Sequence, residues 1–357
     1  MNVPDAAPAG VGLMRNERGG RDKFEGSAHD PGPAAAAERA AALLEDHRHP
    51  SKADSRIRVG TAGWTDATLT KNGVFYPEGV TSAEERLRYY SSIFTLVEVD
   101  SSYYSLPSPR NSELWVERTP PGFLFDMKAH ALMTGQPTEV NRLPHAIQDA
   151  LTTDLAEKDR IYGKDLPAKL YDKVWKSYME GIEPLQEAGK LGSILLQYPR
   201  WFHPSQANRD SIVEARQRLD GIACAVEFRS ASWFGNGGAQ KTLEFLYENR
   251  LPFVMVDEPQ GTGSSVPPIT AVTSSQLAVI RFHGRRVETW EARGVGVTDR
   301  FRYLYDTKEL EEWCPRVMEA AAQAKQVHVV MNNCYANYGT TNALEFVKMI
   351  RETASQQ

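Results

Sequence analysis

Short runs with a hydrophobic–polar period of two recur along this chain, and stretches of helical spacing separate them. The run Leu277–Arg286, LAVIRFHGRR, carries the most information. Strand side chains alternate between two faces, so with Ile280 and Phe282 on one side, Val279, Arg281 and His283 share the other. The same division, apolar outside and polar inside, is read in seven more runs. RIRVGTAGW sets Ile57 and Val59 against Arg58 and Gly60. LVEVD sets Val97 and Val99 against Glu98 and Asp100. FLFDMKAH sets Phe123, Phe125 and Met127 against Asp126, Lys128 and His130. GSILLQYP ends in Gln197, and IACAVEFR sets Val226 and Phe228 against Glu227 and Arg229. PFVMVDEP reads with Val254 and Val256 outside and Asp257 inside, and VHVVMNN with Val329 and Met331 outside and Asn332 inside.

Helical signals fall between these runs. Thr81 and Glu84 form a capping box for a helix reaching about Phe94. A short helix over 112–118 ends at Pro120-Pro121. Leu170, Val174, Tyr178, Ile182 and Leu185 mark a helix over 169–188. Further helices are read over 206–219, 240–249, 309–324 (kinked or started by Pro315) and 341–350. The stretch 132–178 is longer than a connection needs and reads as an insertion or lid. Eight strands, each followed by a helix or a helix-length gap, predict a parallel TIM-type (β/α)8 barrel over residues 56–353. An open doubly wound sheet fits less well, because the first turn lacks GxGxxG and such a sheet buries both faces under helices.

Residues 1–55 differ: they are rich in Gly, Ala, Pro, Asp and Arg and are expected to be a disordered leader. Within them, 33–46 (PAAAAERAAALLED) reads as at most an isolated helix, marginal without packing. Apolar residues make up 41% of the chain and no run is long enough to span a bilayer, which argues against a membrane protein. The net charge of −5 argues against wholesale binding of duplex nucleic acid, though a local basic patch is compatible with it. Three scattered cysteines and no CxxC pair suggest reduced thiols and a cytoplasmic location. The N-terminus has no signal-peptide pattern.

The polar inner faces carry the candidate chemistry. Unpaired buried charge costs several kcal/mol, so a dozen inward polar groups must pair, meet water or meet a ligand. Barrel active sites lie at the C-terminal strand ends. Glu98, Asp100, Lys128, Glu227, Asp257 and His283 are candidates for proton transfer, because carboxylates in different surroundings acquire different pKa values. Trp64, Tyr103, Gln197, Arg229, Arg281, Arg285, Asn332 and Asn333 are candidates for substrate binding, the arginines for an anionic group. Trp64, Tyr103, Tyr104, Trp201, Phe202, Trp233 and Phe234 form an expected aromatic rim. Gly284–Arg286 and Asn337–Asn342 are candidate phosphate loops; the competing reading of the second is an N-cap by Thr340 or Thr341. There is no nucleotide motif and no metal-ligand spacing, so the cofactor is unassigned. The leading expectation is an acid–base enzyme of hydrolase or lyase/isomerase type; a metal-dependent barrel enzyme resembling sugar isomerases or abasic-site endonucleases, with a divalent metal held by Glu, Asp and His, is one alternative, and a non-catalytic metabolite-binding protein is another. The expected partner is a small anionic molecule, phosphorylated or sugar-containing.

GTAGW (60–64), FYPEG (75–79), RLRYYSSIFTLVEVDSSYYSLPS (86–108), WVERTPPGFLFDMKA (115–129), LGSILLQYPRWF (191–202), AVEFRSASWF (225–234), VDEPQG (256–261), RFHGR (281–285) and NNCYANYGTTNALE (332–345) occur in this order. Together they resemble the YecE-like family, domain of unknown function 72, over about 56–350. The resemblance implies a TIM-barrel fold and carries no biochemical activity over. Many relatives have Asn in place of Asp100 and His in place of Cys334. The first weighs against an essential charge at Asp100, and the second against Cys334 as a nucleophile.

Overall fold

The computed structural model describes residues 30–47, 56–71 and 75–355. Eight strands form its centre: β1 Ile57–Thr61, β2 Leu96–Val99, β3 Leu124–Lys128, β4 Leu191–Tyr198, β5 Cys224–Phe228, β6 Val254–Asp257, β7 Leu277–Phe282 and β8 Gln326–Met331. All pair in parallel in the order β5-β4-β3-β2-β1-β8-β7-β6. The two ends of that order meet at a single bridge, Val226 with Phe253, where Val226 N–H donates to Pro252 O at 2.8 Å. The sheet is thus wrapped into a TIM-type α/β barrel with helices between its strands, as the alternating pattern predicts.

The main helices are α1 Gly32–His47, α2 Ala83–Ile93, α3 Pro109–Glu117, α4 Ala168–Glu187, α5 Gln206–Arg218, α6 Gly238–Glu248, α7 Cys314–Gln323 and α8 Tyr338–Ser355. Their ends correct the reading locally. The capping box of α2 is Ser82 with Glu85, one residue beyond the expected pair. Pro315 sits in the first turn of α7 and starts that helix, since proline lacks the N–H a helix interior needs. Helix α8 begins at Tyr338, so Thr340 and Thr341 lie inside it and are not its N-cap.

Register decides which side chains face inward. Arg281 pairs with Val256, and Phe282 with Asp257. Residues paired across a ladder point the same way. Phe282 packs outward on Trp313, Tyr305 and Phe346, so Asp257 also faces outward and Val254 and Val256 face inward. The reading of β6 is therefore reversed, because Val-Met-Val is apolar at every position and leaves the face ambiguous. At β1 the barrel closes tightly: a Cβ on Gly60 would collide with the carbonyl oxygen of Leu96.

Two additions surround the barrel. Residues 132–174 build a satellite core from Leu132, Leu143, Ile147, Leu155, Ile161, Leu166, Leu170 and Val174, with a two-residue antiparallel ladder joining Thr138–Glu139 to Arg160–Ile161. Helix α1 is not isolated. It buries Ala36, Ala40 and Leu43, spaced along one face, and packs on α8. Residues 1–29 and 48–55 of the expected leader lie outside the described residues. Among the described residues no helix is long and apolar enough to cross a membrane, and the three cysteines are free.

Candidate functional site

Strands β2, β5 and β7 each turn one charged side chain into the barrel, and these three meet. Arg281 of β7 donates from one guanidinium nitrogen to Glu227 Oε2 at 2.5 Å and from the other to Glu98 Oε1. Glu227 Oε1 further accepts from Gln197 Nε2 at 2.8 Å, from His283 Nε2 at 3.1 Å and from Arg229 at 3.3 Å. His283 Nδ1 lies 2.8 Å from Asn332 Nδ2. With the Nε2–H donating to Glu227, Nδ1 is free to accept from that amide, which fixes one neutral tautomer. Glu98, Glu227, Arg281 and His283 are at most 1% exposed.

Burial and charge act differently on the two carboxylates. Burial pushes Glu98 up to about 8, against the opposing pull of Arg281. Burial acts in the same direction on Glu227, but Arg281, His283 and Arg229 outweigh it and hold this group well below the usual carboxylate range. Burial likewise lowers His283 to about 4, despite the neighbouring Glu227. The surroundings therefore bias Glu98 toward its protonated form, Glu227 toward its ionised form and His283 toward its neutral form around one arginine. Two acids of the same type held in opposite states are the condition for acid and base roles.

The network opens toward partly buried groups. Lys128 pairs with Asp100 at 3.0 Å and stands over the Tyr103 ring. Tyr103 donates to Gln136 Oε1 at 2.9 Å, and Gln136 donates to Gln197 O at 3.0 Å. Gln136 thus brings the 132–174 segment to the mouth. On the other side Arg229 stacks over Trp290 at 4.6 Å, and Arg200 faces the same ring at 5.6 Å. Trp290 and Phe301 pack beside the His283 ring, and Arg300 donates to Trp290 O. The 283–306 connection is therefore a cap over this part of the network.

Several expected members lie elsewhere. Asp257 and Arg285 form a bidentate pair outside the barrel, where Tyr305 and Trp313 also donate to Asp257 at 2.7 Å each. Arg285 reaches on to Glu312 at 2.8 Å, so it is not positioned for an anion in the mouth. Asn333 donates to Tyr303 O and Asn342 Oδ1 behind β8. Trp64 packs edge-on against Trp115 and Phe125, the latter on the outer face of β3. Arg58 and Asp126 point inward but belong to the opposite end of the barrel: Arg58 donates to Gly122 O, and Asp126 binds Ser193 and His328. Of the aromatic rim, Tyr104 and Trp201 are exposed, while Phe202, Trp233 and Phe234 are core. The Asn337–Asn342 segment is buried within α8 and its approach rather than an open loop. Nor is Gly284–Arg286 an open loop. Gly284 holds φ +86° in a turn where a Cβ would meet Tyr303 at 2.6 Å, and Arg286 is buried.

Two groups that the sequence reading passed over belong to the site. Arg200 follows β4 directly. Glu258 faces Arg229 at 3.5 Å, accepts from Val266 N–H at 2.6 Å, and is pushed up to about 7 by burial. Once β6 is read with Asp257 outward, Glu258 is the next residue and turns inward; correct parity was the missing signal.

A family model described as "Protein of unknown function DUF72" matches residues 58–357. The chain belongs to the DUF72 family. It is 28% identical over 297 residues to the UPF0759 protein YunF of Bacillus subtilis, covering 82% of this chain and 94% of that protein. A DUF72 protein from Thermotoga maritima has 30% identity and a TM-score of 0.65, covering 82% of this chain and 98% of the other. One from Enterococcus faecalis has 26% identity and a TM-score of 0.66, covering 82% and 95%. Helix α1 precedes the part of the chain that the DUF72 model matches.

Proposed function

We propose that the mouth of this DUF72 barrel performs acid–base chemistry, of hydrolase or lyase/isomerase type, on a small anionic substrate, phosphorylated or sugar-containing. The observation that carries this reading is that Glu98 and Glu227 bind one shared guanidinium in surroundings that push the first up and hold the second down. Glu227 is the base and Glu98 the acid. Arg229, Arg200 and Lys128 face the anionic group, and Gln197 fixes the Glu227 carboxylate. A guanidinium occupies the position between the two carboxylates. Among the described residues no three His, Cys, Asp or Glu side chains converge as metal ligands.

One observation favours a second reading, a metabolite-binding protein without turnover. The four central side chains satisfy one another and are almost fully excluded from solvent. A rigid charged floor of that kind supports recognition as well as catalysis. The test is incubation with a panel of phosphorylated and carboxylated sugars, followed by mass spectrometry. Glu227→Gln should keep the fold and abolish conversion, because the amide cannot take up the proton. Conversion by that variant at the wild-type rate rejects the assignment. Tight retention with no conversion by either protein selects the binding reading.

A further inference from the structure

The chain places an element outside its family region against the cap of the mouth. Asp30, just ahead of α1, accepts from Arg302 Nε at 2.5 Å and from the Tyr338 hydroxyl. Its side chain is 7% exposed. Arg302 also stacks on Tyr335 at 4.3 Å, so it is held from both sides. Two residues earlier Arg300 donates to Trp290 O, and between them Phe301 packs on both Trp290 and His283.

A second line of contacts starts from Arg39 in α1. Its guanidinium forms a two-point bond with Glu345 of α8, at 2.7 Å each, and donates to Tyr305 O at 2.7 Å. The Tyr305 hydroxyl accepts from Gly284 N–H at 2.7 Å, at the turn directly after His283. Ala36 is buried beside Leu304 and Tyr338, and its carbonyl accepts from Thr341 at 3.0 Å. The 302–305 end of the 283–306 connection is thus tied to residues 30–39, and the Gly284 end is tied in turn to the Tyr305 hydroxyl, whereas the DUF72 model matches only from residue 58 onward.

We infer that residues 30–44 are a brace that holds the Trp290 cap closed over the site, so that their release opens the mouth. The tip of the cap is tied from the barrel side by Arg200, which donates to Trp290 O at 3.0 Å, and by Ser264 N–H, which donates to Glu291 at 2.8 Å. Its 302–305 base is where Asp30 and Arg39 attach. Removing the Asp30 anchor leaves the tip on those two bonds and on ring packing, and the base on Arg39, on the Asn333 bond to Tyr303 O and on the Asn342 bonds to the Tyr305 backbone; with one anchor fewer, local opening costs less free energy. The functional meaning of the cap rests on the mouth being the site proposed above. The test reads backbone motion and access instead of activity, so the brace and the chemistry fail separately.

The experiment compares the full chain with its Asp30→Asn and Ala36→Glu variants by hydrogen exchange, resolved to peptides. Asp30→Asn leaves the Arg39–Glu345 anchor in place and should fold. Exchange over 287–303 should rise roughly five- to tenfold, the equilibrium effect of losing one charge-assisted bond, while peptides covering β5 and β8 stay at wild-type rates. Ala36→Glu puts a charge into the α1–α8 contact and should give the same local increase. Modification of His283 by diethyl pyrocarbonate should accelerate in parallel. Unchanged exchange over 287–303 in both variants overturns the brace. So does an increase spread evenly over the barrel, or an unchanged His283 reaction.

Discussion

Two carboxylate clusters lie on opposite sides of the β6–β7 wall. Outside, Asp257 accepts from Arg285, the Tyr305 hydroxyl and the Trp313 indole, and every partner is a fixed donor. Inside, Glu227 and Glu98 share Arg281, burial pushes Glu98 up, and Glu258 Oε2 has no hydrogen-bond partner among the described residues. Both clusters are buried and both contain an arginine, yet they differ in kind. The outer carboxylate has its acceptor sites saturated by the helical layer, which bolts α7 and the 303–305 segment to the sheet. The inner ones are shifted in opposite directions, Glu98 up by burial and Glu227 down by its charged neighbours. Burial and pairing are common to both clusters, and shifts in opposite directions on neighbouring carboxyls distinguish the inner one.

That contrast can be broken most forcefully at Arg281. Arg281→Met removes the shared partner of two buried carboxyl groups and should cost about 3–5 kcal/mol in denaturant unfolding, the range for removing one partner of a buried pair. Adding Glu227→Gln should recover part of the loss; a strictly additive double variant would show that the two groups are uncoupled. On the outer side, Asp257→Ala leaves buried donors on Tyr305 and Trp313 unsatisfied and should cost about 2–4 kcal/mol. It should leave ligand retention by the mouth unchanged, and a matching loss of retention would erase the distinction between the clusters.

A third test is a slope with pH. Glu98, with its folded value raised to about 8, keeps a proton between pH 4.5 and 8 that the unfolded chain has released, so its contribution declines as pH rises through that window. His283, lowered to about 4, works in the opposite sense: the unfolded chain binds the extra proton between pH 6.5 and 4, and stability is lost as pH falls. Urea midpoints at pH 5 and pH 8 should therefore show a flatter alkaline decline in Glu98→Gln than in wild type. The same decline in both proteins would mean that Glu98 is ionised throughout.

Much of the site was legible because most strands alternate cleanly. RFH in β7, VEV in β2 and VEF in β5 place Arg281, His283, Glu98 and Glu227 inward, and the structure brings those four together. Where alternation fails, so does the reading. Val-Met-Val in β6 carries no face signal, and one step of parity exchanged Asp257 for Glu258. Alternation is also silent about height along the barrel axis, so Arg58 and Asp126 were grouped with residues at the far end. The aromatics of the expected rim mostly pack under helices, because a large ring after a strand serves equally as core or as rim.

The chain's own pattern determined the number of strands, their parallel arrangement and which faces are polar, since those follow from local periodicity and from the length of each connection. The tertiary structure alone decided which charges meet. Barrel closure and strand stagger set the distance between residues far apart in sequence, and the charges so gathered around two equally buried carboxyls push one up and hold the other down. Helix α1 shows the same division: its composition allowed a helix, and only packing on α8 gave it a place.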